Sequence, residues 1–192
     1  MLQDNAIDNV EIRKRYYDSG ALWLVIPYVD GYKHGIEREY YESGVLWREA
    51  PYVDGKAHGI VKQNYESGVL GWELSCVNGK RHGITKRYYT SGALWSEIPY
   101  EDGYKHGIER SYYPSGALEW ETPHVNGDVH GIARVYYMSG AIRYETPYKN
   151  GDQHGIAKIY DKDTLNINCV TLYKRNREVT ILRCESYRRS SI

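Results

Sequence analysis

A three-residue sequence, His-Gly-Ile, recurs six times at a constant spacing of 24 residues. Its histidines are His34, His58, His82, His106, His130 and His154. Ser-Gly pairs keep the same spacing, and so do pairs of Asp-Gly or Asn-Gly. Because no insertion interrupts the spacing, every copy must dock on its neighbour with one geometry. The chain is therefore predicted to be an array of near-identical units.

Each unit carries two turn signals, separated by stretches rich in Tyr, Trp, Ile and Val, and this pattern is typical of consecutive β-hairpins. In the second unit we expect strands over residues 36–41 and 45–52, with turns at Ser43-Gly44 and Asp54-Gly55. The predicted fold is all-β: an elongated, single-layer, twisted antiparallel sheet of tandem 24-residue hairpins. We expect at least twelve strands and no long helix.

The register of these hairpins follows from opposite charges. A two-residue loop at Ser43-Gly44 places Arg38 opposite Glu49, and oppositely charged pairs across strands contribute roughly 0.2–1 kcal/mol each. The same register pairs Lys62 with Glu73, Lys86 with Glu97, Arg110 with Glu121 and Arg134 with Glu145. A stripe of basic residues that reads phosphate groups is the alternative. Local pairing is favoured because each cation already has a partner.

The balance of charges is not that of a protein that binds through one uniformly charged surface. The chain has 25 basic and 25 acidic residues, which argues against a general nucleic-acid or membrane binder. Basic residues are in excess from Lys158 to the end. We expect them to protect the edge of the sheet, with a local binding patch as the alternative.

Cysteine usage and the amino terminus predict a cytoplasmic protein. Cys76, Cys169 and Cys184 are odd in number and lack short spacing, so they indicate neither a disulfide framework nor a zinc site. The first residues do not resemble a signal peptide, and no apolar stretch is long enough to cross a bilayer.

The recurring histidines suggest a metal site, but their spacing opposes it. Equivalent residues of neighbouring units lie roughly 9–10 Å apart when each hairpin adds two strands. Zinc requires its ligands within about 2 Å of one centre. We therefore expect the histidines, including His124, which replaces a recurring tyrosine, to be structural. No metal and no cofactor is predicted.

Aromatic residues are the candidate binding residues. The chain has 21 Tyr, 5 Trp and no Phe. Tyr suits a sheet whose faces are partly hydrated, so most tyrosines are expected to be structural. The position of the tryptophan varies between repeats, because Trp72 and Trp120 lie one residue later in the repeat than the other three. Trp is also enriched among the residues that contribute most of the binding energy of protein interfaces. The alternative is that they only cover one face. The predicted partner-binding residues are Trp23, Trp47, Trp72, Trp95, Trp120, Tyr41, Tyr89 and Tyr113.

Both ends depart from the repeat. Val10-Glu11 replaces His-Gly before Ile12, and after Tyr160 we expect a final hairpin of residues 165–173 and 178–184. The predicted organisation is a cap half-unit over residues 1–15, six repeats over 16–160, and a capping hairpin with a basic tail over 161–192.

The unit Tyr-Tyr-x-Ser-Gly-x-Leu, followed by Tyr-x-Asp/Asn-Gly-x-x-His-Gly, resembles the MORN repeat, especially its bacterial variant. The resemblance spans about residues 12–160. It implies a scaffold that binds proteins or membranes. Similar bacterial proteins are catalogued as antitoxins of toxin–antitoxin pairs, a role that the residues themselves do not indicate.

No catalytic triad, phosphate-binding loop or carboxylate pair stands out from the repeats, so the chain is not expected to be an enzyme. The predicted function is binding of a partner protein across several units, as an antitoxin-like or immunity-like inhibitor. No nucleic-acid partner is expected. A peripheral membrane or phosphoinositide-binding adaptor and a structural scaffold are the alternatives.

Overall fold

The computed structural model describes residues 9–164 and 166–184, with side chains given through residue 181. The chain divides into two compact units, Met1–Ala93 (unit 1) and Leu94–Ile192 (unit 2). The described residues form 21 β-strands and no helix, so this part of the chain contains no helix that could span a membrane.

Unit 1 contains ten strands that pair in antiparallel fashion. They are β1 (Val10–Tyr16), β2 (Leu22–Val29), β3 (Tyr32–Lys33), β4 (Gly35–Tyr40), β5 (Leu46–Val53), β6 (Lys56–Ala57), β7 (Gly59–Asn64), β8 (Leu70–Val77), β9 (Lys80–Arg81) and β10 (Gly83–Tyr88). After the seven-residue β1, eight-residue and six-residue strands alternate, and each two-residue strand lies directly after an Asp-Gly or Asn-Gly turn.

Unit 2 continues the pattern with eleven strands. They are β11 (Leu94–Glu101), β12 (Tyr104–Lys105), β13 (Gly107–Tyr112), β14 (Leu118–Val125), β15 (Asp128–Val129), β16 (Gly131–Tyr136), β17 (Ile142–Lys149), β18 (Asp152–Gln153), β19 (Gly155–Tyr160), β20 (Ile167–Lys174) and β21 (Arg177–Cys184). The predicted all-β fold of tandem antiparallel hairpins is confirmed. The predicted division into a cap, six repeats and a tail stays a prediction.

The Asp-Gly and Asn-Gly turns close two-residue loops. Val53 pairs with Lys56, and the two residues between them have positive φ angles, 49° at Asp54 and 77° at Gly55. Two consecutive residues of this conformation form a type I′ turn, whose twist matches that of the flanking strands. The turn therefore fixes the register of the short strand that follows it.

The Ser-Gly turns differ from the prediction, because they close three-residue loops. Tyr41 N donates to Val45 O at 2.8 Å, and Gly44 N donates to Tyr41 O at 2.9 Å. A β-bulge follows, since Tyr40 pairs with Leu46 and Glu39 pairs with Arg48, which leaves Trp47 as the additional residue. The longer loop shifts the pairing of the two strands by one residue, and the bulge shifts it back.

Because of this compensation, the predicted charge register is correct. Four of the predicted pairs have both residues within one unit, and in each of them the two residues face each other in the ladder. They are Arg38–Glu49, Lys62–Glu73, Arg110–Glu121 and Arg134–Glu145. A one-residue slip would move every side chain to the other face. The register therefore determines which side chains are available for binding.

The two faces of the sheet have different compositions. The core face carries Glu37, Glu39, Arg48 and Ala50, and the isoleucine face carries the alternate residues, such as Ile36 and Arg38. Buried apolar residues of unit 1 lie on the core face: Ala50 is 0% exposed, Val61 3% and Cys76 7%. Tyr52, Ala57, Trp72 and Leu74 pack against them. The hydrophobic core therefore belongs to one face only.

The final hairpin was predicted correctly in outline. β20 and β21 pair through a two-residue turn at Arg175-Asn176, and both residues have positive φ angles. Residue 165, where the first strand was expected to begin, lies outside the described residues. Cys169 is disulfide-bonded, contrary to the expectation drawn from the cysteine count, and the backbone of Cys184 lies opposite it. The odd number of cysteines did not indicate this bond because the remaining cysteine, Cys76, is a free, buried thiol in the core of unit 1.

Candidate protein-binding surface

The isoleucine face presents one exposed aliphatic side chain per repeat. In unit 1, Ile36 is 38% exposed, Ile60 53% and Ile84 50%. In unit 2 the corresponding residues are Ile108, Ile132 and Ile156, at 40–48%. The three residues of each unit form the isoleucine column of that unit. Ile36 and Ile108 lie opposite Pro51 and Pro123, so apolar side chains continue across adjacent strands.

A ladder of alternating charges runs beside the isoleucine column. In unit 2, Arg134 Nε donates to Glu145 at 3.0 Å, and Arg134 Nη1 donates to Glu121 at 3.1 Å. Arg110 and Lys158 extend the ladder at its two ends, at 3.8 and 3.7 Å from those carboxylates. Each carboxylate thus bridges two strands, and the sequence predicted only one pair per hairpin.

Tyrosine hydroxyls complete this ladder. Tyr136 donates to Glu121 at 2.9 Å, and Tyr160 donates to Glu145 at 2.8 Å. Burial and the neighbouring Glu145 carboxylate raise the pKa of Tyr160 to about 12. Burial acts to raise the pKa of Glu145 as well, but the hydrogen bonds from Tyr160 and Arg134 outweigh it, and the net pKa is lowered from 4.5. Polar groups beside the isoleucine column are therefore satisfied within the fold.

The lowered pKa of Glu145 predicts a dependence of stability on acid. A carboxylate with a depressed folded-state pKa stabilises the fold above its unfolded pKa, and this stabilisation is lost as the pH falls through the folded value. We expect the wild type to lose stability below about pH 4.5, the ordinary value for this carboxyl. Glu145→Gln should be less stable than wild type at pH 7, and its free energy of unfolding should decrease less steeply as the pH falls. Denaturant unfolding at several pH values measures this, with Glu42→Gln, in an exposed turn, as the control. Parallel declines of wild type and Glu145→Gln would contradict the assignment.

On the core face of unit 1, charged side chains form a closed cluster. Glu37 is 5% exposed and accepts from Lys33 Nζ and from Arg48 Nη1, and Arg48 also donates to Glu39 at 2.8 Å. Burial acts to lower the pKa of Arg48, but hydrogen bonds to Glu39, Tyr52 and Glu37 outweigh it and the net pKa is raised. Both cations are therefore held in their charged form.

Unit 2 contains a related cluster that keeps the lysine and the glutamate as Lys105 and Glu109, while Ser111, Trp120 and His124 stand where unit 1 has Glu39, Arg48 and Tyr52. Glu109 Oε2 accepts from Lys105 Nζ at 2.6 Å and lies 3.0 Å from His124 Nε2. His124 is 7% exposed, and its Nδ1 has no hydrogen-bond partner among the described residues. Because that nitrogen is covered, a substrate in solvent cannot reach it in this conformation. His124 therefore acts as a packed residue that completes the cluster around Glu109.

The five predicted tryptophans occupy three kinds of position. Trp23 and Trp47 are the additional residues of β-bulges and contact Tyr17 and Tyr41, with ring centroids 6.2 and 6.3 Å apart. Trp72 and Trp120 lie on the core face, and Trp72 Nε1 donates to Gln63 at 2.9 Å. Trp95 is 41% exposed. The five rings therefore occupy different environments within their units.

The predicted tyrosines lie at the Ser-Gly turns. Tyr41 Oη donates to Asn64 O at 2.9 Å, and Tyr113 Oη donates to Tyr136 O at 2.9 Å. These bonds connect each turn to the strand one repeat further on. Tyr89 occupies the equivalent turn, where its N–H donates to Ala93 O. The hydroxyls of Tyr41 and Tyr113 thus have a structural role, and the assignment of all three tyrosines to a binding surface stays a prediction.

Histidines of the repeat lie close to polar side chains near the turns in both units. His58 Nδ1 is 3.4 Å from Asn78 Oδ1, and His130 Nδ1 is 3.2 Å from Asn150 Oδ1. In the described part of the chain, no three His, Cys, Asp or Glu side chains converge as metal ligands would. The absence of a metal site stays a prediction.

Sequence reasoning did not single out the isoleucine column as a candidate surface. A constant apolar residue in each repeat was interpreted as architecture. The signal was present, however, because Ile36 lies two residues before Arg38, and alternation places both on one face of the strand. Since Arg38 faces Glu49, the isoleucine shares the solvated, charged face.

The two alternating turn types, the bulge and the 24-residue period define the repeat. It matches the MORN repeat variant. The family model matches residues 33–54, 81–102, 105–126 and 129–150, which together make up just under half of the chain. No curated protein matches the chain. MORN repeats are a non-catalytic repeat type and commonly bind proteins or membrane lipids, which fits a non-enzymatic binding role.

Proposed function

We propose that this chain is a non-enzymatic protein-binding repeat protein that acts as an antitoxin-like or immunity-like inhibitor, covering a functional surface of its partner. The observation that carries the proposal is the isoleucine column, exposed in both units. Solvated apolar side chains arranged contiguously mark interaction surfaces more often than isolated ones do. The antitoxin-like role extends the family analogy.

Three properties of the isoleucine column favour a protein partner. Its neighbours are charged side chains already paired with each other, such as Arg134 with Glu121 and Glu145, so a partner need not leave a charge unpaired. Its period equals the repeat, so affinity would grow with the number of repeats engaged. Its rim is polar, as in most protein interfaces.

The test begins with capture of proteins from the native host on the immobilised full-length chain, followed by identification and purification of the captured protein. The purified pair is then titrated by calorimetry. We expect saturation at a fixed molar ratio and inhibition of the partner that ends at the same ratio. Vesicles containing phosphoinositides serve as the second arm. Binding to vesicles without any protein partner, or inhibition at ratios far below one, would contradict the proposal.

The tryptophan prediction is tested with the same pair. Trp47→Ala and Trp95→Ala should each weaken partner binding by roughly 2 kcal/mol or more, since truncating a central Trp often has such an effect. Trp72→Ala is the comparison, because this ring already packs against Ala50, Val61 and Cys76. We expect Trp72→Ala to lower the free energy of unfolding first. Circular dichroism confirms that the sheet is retained, and unchanged affinity in both Trp47→Ala and Trp95→Ala would remove the tryptophans from the binding surface.

A further inference from the structure

The first strand of unit 1 has an open edge in the described structure. β1 pairs with β2, and within the described residues no strand lies on its other side. All seven residues of β1 are exposed. Ile12 is 60% exposed, whereas Ile36, which has neighbouring strands on both sides, is 38% exposed. An open edge presents unpaired N–H and C=O groups to any extended strand that can match them.

The hydrogen bonds of the first hairpin show which groups face this edge. Asp30 N donates to Asn9 O at 3.1 Å, so Asn9 directs its backbone groups toward β2. In an antiparallel ladder this direction alternates along the strand. Ile12 therefore directs its N–H and C=O away from β2, as do Val10 and Lys14. The residue opposite Ile12 is Pro27, which has no N–H to offer, and this agrees with the assignment.

We propose that a second copy of this chain pairs with β1 in antiparallel orientation, forming a two-fold symmetric dimer centred on Ile12. The outward-facing groups belong to alternate residues, so a symmetric pairing must be centred on a residue of the strand. If the symmetric pairing is centred on Glu11, Arg13 or Lys14, two identical charges lie directly opposite each other. A centre at Ile12 places two isoleucines opposite each other.

Charge complementarity selects the same centre. Around Ile12, Glu11 of each copy faces Arg13 of the other, which gives two opposite-charge pairs. In one copy alone, Arg13 Nε donates to Glu11 of the same strand at 2.8 Å, and the Arg13 guanidinium lies 4.3 Å from the centre of the Tyr28 ring. Both charges are therefore already arranged on the face where they would meet their counterparts. Like charges, which normally protect an open edge, are not opposed in this register.

The dimer does not depend on the proposed partner protein and is tested without it. Sedimentation of the full-length chain from about 1 µM to about 1 mM covers the affinities expected for a small interface. We expect a monomer–dimer equilibrium. Ile12→Pro removes an N–H that faces the open edge and leaves the β1–β2 ladder intact, so it should raise the dimer dissociation constant by roughly tenfold or more.

A charge exchange supplies an independent test and does not alter the backbone. Glu11→Arg should weaken the dimer, and the double variant Glu11→Arg with Arg13→Glu should restore it, because opposite charges face each other again. Circular dichroism confirms folding of each variant. A wild type that remains monomeric over the whole range would overturn the proposal. A dimer that neither Ile12→Pro nor Glu11→Arg weakens would overturn it too, since it would have to use another surface.

Discussion

Gly59→Ala is expected to destabilise unit 1 by roughly 3 kcal/mol or more, because two penalties combine at this residue. Its φ angle is +117°, a backbone conformation that residues with a side chain rarely adopt. A Cβ atom there would also lie 2.9 Å from Cγ of Pro51, on the adjacent strand. The glycine of His-Gly-Ile therefore allows the proline column to pack against the backbone.

Gly44→Ala is the matched control. Gly44 has a φ angle of +85°, and a Cβ atom there would meet nothing within 4 Å, so only the backbone penalty of roughly 1–2 kcal/mol applies. Denaturant unfolding gives both values. Combining Pro51→Ala with Gly59→Ala should recover part of the loss, since the contact with the proline ring is removed. Equal losses in Gly59→Ala and Gly44→Ala would show that the contact with Pro51 is unimportant.

Removing one complete repeat is expected to leave the fold intact, and removing one residue fewer is expected to disrupt it. Deletion of residues 58–81 joins Ala57 to His82 and restores the junction that Ala57 makes with His58. β10 then takes the place of β7 beside β5, and Lys86 faces Glu49 as Lys62 did. Every side chain keeps its face.

Deletion of residues 59–81 leaves one additional residue between β6 and β10. The strand must then bulge or slip, and a slip exchanges its two faces. Thr85, now buried, would move to the isoleucine face, and Ile84 would move to the core face. We expect a native-like circular dichroism spectrum and cooperative thermal unfolding for the first deletion only. Similar unfolding of the two variants would contradict the role of register in this array.

The hairpin order, the antiparallel pairing and the charge register could be predicted because each depends on a local, repeated signal. The sequence Asp54-Gly55 favours a two-residue turn, and the pairing of Arg38 with Glu49 is compatible with only one register of the hairpin. The length of the Ser-Gly loop could not be predicted in this way. A three-residue loop followed by a bulge at Trp47 gives the same charge pairs as the predicted two-residue loop, so the charges cannot distinguish them.

The sequence prediction of a binding surface named the tryptophans and not the isoleucine column, and it stays a prediction. Tryptophan size and variation favoured the tryptophans, but Trp72 packs into the core and Trp23 and Trp47 contact neighbouring tyrosines. Contacts of this kind depend on the bulges, which shift the strand locally. The exposure of the isoleucine column, in contrast, follows from alternation once the charged face is assigned. The link between His124 and Glu109 joins two strands diagonally, and a single sequence gives no direct signal for such a contact.

The most direct test of the isoleucine column is the affinity of Ile60→Glu for the purified partner protein. Ile60 is 53% exposed near the middle of the unit 1 column, so the substitution should leave the fold intact. Met138→Glu, at a residue 69% exposed in a hairpin turn, adds the same charge away from the column. Calorimetric titration should show binding weakened at least roughly tenfold by Ile60→Glu, about 1.4 kcal/mol, and unchanged by Met138→Glu. Equal affinity of wild type and Ile60→Glu would contradict the assignment of the isoleucine column as the protein-binding surface.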